Sequence, residues 1–134
     1  MIGLDTNVLL RSLLADEGEE EKRARALLAG RCSPANPAFL NHVVLCEAAW
    51  VMVRTYRYSR EQVATAVETI LATPAFLVAE RPLVEEALAV FRSSRADFAD
   101  ALIGVVNRRA GCDTTYAFDR RATESSNFSD VPQS

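Results

Sequence analysis

The stretch Met1-Ile2-Gly3-Leu4-Asp5-Thr6-Asn7-Val8-Leu9-Leu10 decides the fold class. Its first four residues are short and apolar, suited to a buried strand, and an acid closes the run. Thr6 and Asn7 then lead into a mainly apolar stretch, Val8–Leu14. The pattern predicts a strand feeding directly into a helix, with Asp5 at the carboxyl end of the strand.

Working outward, Asp16–Gly30 begins with a dense charged group that includes Glu19, Glu20, Glu21, Lys22 and Arg23. It continues into Ala26-Leu27-Leu28 and predicts an exposed amphipathic helix stopped at Gly30. Cys32–Asn36, with Pro34 inside and Pro37 after it, is a loop, and Phe39-Leu40 a short strand. The run V-V-L-C-E-A-A-W-V-M-V from Val43 to Val53 exceeds one strand and predicts a buried helix, with Trp50 and Met52 as core. Ser59 caps a helix over Arg60–Ala72. Phe76–Ala79 is a strand, and Pro82 opens a helix to about Ser93. Asp97–Ala110 is a further helix, stopped at Gly111. Thr114–Phe118 is a strand ending at Asp119, and a short polar helix follows near Arg121–Glu124. The tail Asn127–Ser134 gives little pattern, and Ser125–Ser134 lacks the apolar residues of a final strand. Strands alternating with helices predict an α/β fold around a mainly parallel sheet. Ligands bind beyond the carboxyl ends of such strands, where Asp5 and Asp119 fall.

The chain has 134 residues, 49% apolar and 25% charged, which suits one domain, 1–134, with its own core. Three scattered cysteines and a single histidine, His42, exclude the usual nitrogen and sulfur zinc site and suit a reducing cytoplasm. No secretory leader is expected, and no run approaches the roughly 18 apolar residues needed to span a bilayer. The net charge of −3 counts against a nucleic-acid partner at first. However, 14 of the 15 basic residues are arginine, the better bidentate phosphate binder, and a divalent metal would cancel two negative charges.

The informative acids stand in apolar company. Glu47 is the only charged residue from Val43 to Val53, and Asp100 the only one from Phe98 to Val106. Asp5 and Asp119 each end an apolar strand. Carboxylates drawn toward a core are costly unless paired, hydrogen-bonded or metal-bound. Four with few basic partners are best reconciled by a divalent cation, and oxygen donors point to Mg²⁺ or Mn²⁺. Each acid also has a plainer role. Asp5 would serve as a helix cap, Glu47 as a solvent-facing helix residue, Asp119 as a turn residue. Asp97 fits an N-cap better than a ligand, with Asp100 in the first turn behind it. Thr6 and Asn7 suit either hydrogen bonding to the carboxylates or local capping. Arg120 and Arg121, beside Asp119, are placed for phosphate or for solvent. Arg54, Arg57 and Arg60 read as a solvated basic face, and His42 as a packed or surface residue.

Four segments together, L-D-T-N-V-L-L, V-V-L-C-E-A-A-W-V-M, D-F-A-D-A-L-I-G and T-T-Y-A-F-D-R-R-A, resemble PIN-domain proteins, above all the VapC-type toxins of bacterial toxin–antitoxin pairs. The resemblance runs from Met1 to about Phe128, with the motifs in the family's order. It implies a three-layer α/β/α sandwich and a Mg²⁺- or Mn²⁺-dependent endoribonuclease that forms a homodimer and is inhibited by a cognate antitoxin. The family's catalytic and metal-binding acids fall on Asp5, Glu47, Asp100 and Asp119, with Asp97 an additional acid nearby. Ala117 departs from the Thr or Ser that many relatives carry two residues before the last aspartate. Rival readings are a non-catalytic PIN-like binding module and a phosphatase of the haloacid-dehalogenase type. The latter expects a second acid where this chain has Asn7.

Overall fold

A computed structural model describes residues 1–133; Ser134, the end of the weakly patterned tail, lies outside the described residues. The chain divides into two compact units, one comprising Met1–Arg57 and Ala66–Ala79, the other Tyr58–Thr65 and Glu80–Ser134.

The first unit holds β1 (Ile2–Gly3), α1 (Thr6–Leu13), α2 (Glu19–Arg31), β2 (Ala38–Leu40) and α3 (His42–Arg54). It also holds the later part of α4 (Arg60–Ala72), and β3 (Phe76–Val78). Its strands pair in the order β1-β2-β3, all parallel, with Ile2 opposite Ala38 and Ala38 opposite Phe76. Ala38 and Leu40 are buried on the central strand, as are Phe76 and Val78 on β3. Leu77 between them is exposed, the two-residue alternation of a strand with one covered face. The strand–Asp5–helix junction forms as expected. Arg11 of α1 pairs with Glu20 at 2.9 Å and with the buried Glu21, tying α1 to α2. The Arg11 guanidinium holds the Glu21 carboxyl below its ordinary value.

Helix α3 departs from the expected all-round burial. Val44, Leu45, Ala48, Ala49 and Met52 are buried, whereas Trp50 is 59% exposed and Val43 67%. The helix period places Val43, Glu47, Trp50 and Arg54 on one outward stripe, and only the opposite face has a neighbour to pack on. Arg54 lies over the Trp50 ring, 5.2 Å from its centroid. Met52 is core, as read; Trp50 is not.

The second unit contains the start of α4, then α5 (Arg81–Ser93), α6 (Phe98–Arg109), β4 (Thr115–Ala117), α7 (Arg120–Thr123) and β5 (Phe128–Asp130). Helices α5 and α6 pack together; Val84, Ala87 and Phe91 of the first and Phe98, Ala101 and Val105 of the second are buried, with Phe91 and Phe98 edge to face. Arg60, expected in a solvated basic face, instead serves the end of α5. Its guanidinium donates to the carbonyls of Phe91, Ser94 and Ala96 at 2.6, 3.0 and 2.9 Å and lies over the Phe91 ring. Those carbonyls lack helical partners, which is why a fixed cation is useful there. Helix α6 stops where expected, because Gly111 takes φ 106°, a conformation that excludes most side chains.

A final strand forms despite the polar tail. β5 pairs parallel with β4, Thr115 opposite Phe128 and Ala117 opposite Asp130. Two tertiary contacts replace the missing apolar pattern. The Phe128 ring lies so close to Gly104 of α6 that a Cβ there would sit 2.5 Å from its Cε2 atom. The buried Asn127 accepts from Arg108 Nε at 2.7 Å, and its carbonyl accepts from the Thr115 amide. The α/β class and the parallel pairing are thus as expected, with the strands bonded as a three-stranded and a two-stranded sheet. Among the described residues no helix is long and apolar enough to cross a membrane.

Candidate functional site

Asp5 stands where β1 gives way to α1. Its backbone is extended, φ −78° and ψ 161°, and its carbonyl accepts from the Leu9 amide, so it is the N-cap of α1. Its carboxylate makes no capping hydrogen bond. The next residue, Thr6, is buried and turns its hydroxyl away from the helix end, donating to Glu47 Oε1 at 2.8 Å. Residues 41 positions apart are thereby joined, and one carboxylate oxygen of Glu47 is fixed. Asp5, Thr6, Asn7 and Glu47 line one open cleft of about 560 Å³, walled by Cys46, Trp50 and Val51.

Trp50 is the residue that sequence reading misplaced here. It stands three positions after Glu47, one helical turn along the same stripe, and that spacing was the available signal. The expectation that these acids are drawn into a core needs a parallel correction. Asp5 and Glu47 are exposed, as is Asp119, and Asp100 is half-buried. Glu47 escapes burial because it shares the outward stripe of α3; Asp5 and Asp119 escape because each precedes a helix at a turn. His42 takes no part in the cleft: its Nε2 lies 2.7 Å from the Ala79 carbonyl oxygen.

The second unit brings together Asp97, Asp100 and Asp119. Asp97 is the N-cap of α6, accepting from the Asp100 amide at 2.7 Å, so its capping role is real. Burial pushes the Asp100 carboxyl above its ordinary value, and the charges of Asp97 and Asp119 push it further, against a smaller opposing effect of Arg121. Asp119 caps α7, accepting from the Arg121 amide at 2.9 Å, with Arg121 Nε 3.8 Å from the same oxygen. Arg120 and Arg121 are both exposed.

Among the described residues, no three His, Cys, Asp or Glu side chains are gathered closely enough to enclose a metal ion. In kind, the donors fit a hard divalent cation: carboxylate oxygens, with no histidine or thiolate set among them. The burial and like charge that together raise Asp100 fit one too, since a cation would offset both the desolvation of this carboxyl and its repulsion from Asp97 and Asp119.

Comparison with known proteins adds an independent line. The chain is 28% identical over 118 residues to a VapC ribonuclease of Aquifex aeolicus (strain VF5), an alignment covering 88% of this chain and 87% of that protein. The family model of the PIN domain matches residues 2–126, a span that takes in Asp5, Glu47, Asp97, Asp100 and Asp119. On that match the chain belongs to the PIN domain family.

Proposed function

We propose that this chain is a metal-dependent endoribonuclease, the toxin of a toxin–antitoxin pair, that hydrolyses RNA phosphodiesters with Asp5, Glu47, Asp100 and Asp119 as its catalytic and metal-binding acids. The observation that carries the reading is the Asp5 turn. A carboxylate at an N-cap ordinarily serves the helix; here it is uncommitted, beside a glutamate whose one oxygen is held by a buried hydroxyl. Family membership and the VapC ribonuclease relative support the reaction class.

A bound Mg²⁺ or Mn²⁺ would supply an activated water and neutralise charge on the phosphate. Within the chain, Thr6 holds Glu47 Oε1 in place, and the Glu47 carboxylate takes the proton of the attacking water. Asp5 offers both carboxylate oxygens as ligands. Asp100 is a ligand for which binding a cation is favoured over remaining ionised alone beside Asp97 and Asp119. Asn7 and Asp97 orient neighbouring groups, the first from the cleft wall and the second by fixing the start of α6. Arg120 and Arg121 receive phosphate oxygens of the RNA. Residues 1–134 serve as one nuclease domain, and the protein works in the cytoplasm as a homodimer restrained by a cognate antitoxin protein.

Purified protein incubated with RNA and Mn²⁺ or Mg²⁺ provides the test. Cleavage is expected, with loss in chelator and in both Asp5→Ala and Asp100→Asn, and sequencing of new 5′ ends identifies the target. Full activity of folded Asp5→Ala sinks the assignment. RNA binding without metal-dependent cleavage would favour the non-catalytic module instead.

A further inference from the structure

Resting on the ribonuclease reading, we propose that Phe118 is a stacking platform for an unpaired RNA base, next to the phosphate received by Arg120 and Arg121. Phe118 is 86% exposed, more than any other large apolar side chain of the described residues. Tyr116, two positions earlier on β4, is 62% exposed. Neither ring is spent on the core, and Asp119 follows Phe118 directly in the chain. Two exposed rings and two exposed guanidinium groups therefore lie within six residues, beside one of the acids assigned to the reaction.

That combination selects the occupant. Single-stranded nucleic acid presents flat base faces and a regular line of negative charge, and proteins hold it by pairing aromatic rings with cations. Double-stranded RNA hides its base faces in the stack. A protein partner would also cover an exposed Phe118, and protein interfaces use aromatic rings and arginine too; the position directly before Asp119, an acid assigned to the reaction on RNA, is what favours a base there. Beside that acid, the mixture of rings and positive charge favours RNA with the target base unstacked.

The experiment uses full-length chain and a short single-stranded RNA carrying 2-aminopurine, whose fluorescence falls when it stacks. Phe118→Leu and Phe118→Ala are compared with wild type and with Phe118→Trp, reading KM and kcat for cleavage and, in an Asp100→Asn background, affinity and quenching. Losing the stack is expected to weaken affinity and raise KM roughly tenfold in the Leu and Ala variants, with quenching lost and kcat little changed. Trp should restore both. Because the side chain is exposed, thermal midpoints should match wild type in all three variants. Equal KM and quenching for Leu and wild type would overturn the stacking role while leaving the nuclease intact. So would an effect confined to self-association or to protein-partner affinity. A wild-type chain that neither binds nor cleaves RNA would instead bring down the ribonuclease reading, and the stack with it.

Discussion

The Asp5 turn and the Asp97 turn occupy the same position in their respective helices and use it in opposite ways. Both residues are N-caps with extended backbone, φ −78° at Asp5 and −73° at Asp97. Asp97 closes its helix, accepting the Asp100 amide at 2.7 Å. Asp5 does not close α1, and its neighbour Thr6 reaches across to Glu47. An acid at a helix start is thus either a structural part or a free carboxylate, and only the direction of the side chain separates the two. One turn contributes stability; the other leaves a ligand available.

The contrast breaks most visibly in activity. Asp5→Ala is expected to lower RNA cleavage by at least about a hundredfold, the scale of losing one group that stabilises transition-state charge, with little change in unfolding free energy. A variant that unfolds in proportion to its lost activity would make Asp5 a structural cap after all. Thr6→Val, which keeps the shape and removes the donor to Glu47, should reduce cleavage by roughly tenfold, as when a group orienting a ligand is lost. Single-turnover kinetics beside denaturant unfolding would read it, with cleavage slowed and the unfolding free energy unchanged if Thr6 acts by holding Glu47.

Asp97→Ala tests the other arm. Loss of the cap should cost about 1 kcal/mol of stability in denaturant unfolding, and Asp97→Asn or Asp97→Ser should recover most of it. If Asp97→Ser folds like wild type yet cannot cleave RNA, Asp97 belongs with the reacting acids. The smallest effect is the most diagnostic. Asp100→Asn should stabilise the metal-free fold slightly, by about 0.5 kcal/mol, while removing activity. The sign follows from linkage: a carboxyl raised in the folded state makes ionisation unfavourable to folding. Its penalty is absent below the ordinary value of 3.8 and grows as pH rises through the raised folded value. The difference between variant and wild type should therefore widen over that window in unfolding measured with chelator, and a constant difference would deny that burial and neighbouring charge raise this carboxyl.

Much of the fold was legible because its signals are local. The apolar run ending at Asp5, the proline near the start of α5 and Gly111 after α6 each act within about one helical turn. Their effect follows from steric and hydrogen-bonding rules that need no knowledge of the rest of the chain. The candidate acids were legible as candidates for a similar reason, since Glu47 and Asp100 are conspicuous as single charges in long apolar runs. Their burial was not. An apolar run states that a helix packs somewhere but not which stripe is left outside, and on α3 the outer stripe carries both Glu47 and Trp50.

By itself, then, the sequence determined an α/β chain with parallel pairing, its helix boundaries to within a few residues, and which acids are candidates for the site. The tertiary structure alone decided that Thr6 serves Glu47, that Arg60 finishes α5 rather than facing solvent, and that Phe128 completes a strand against Gly104. Those contacts join residues 24 to 41 positions apart, as from Gly104 to Phe128 and from Thr6 to Glu47. Local propensity reaches about four residues along a helix, so only packing could choose such partners.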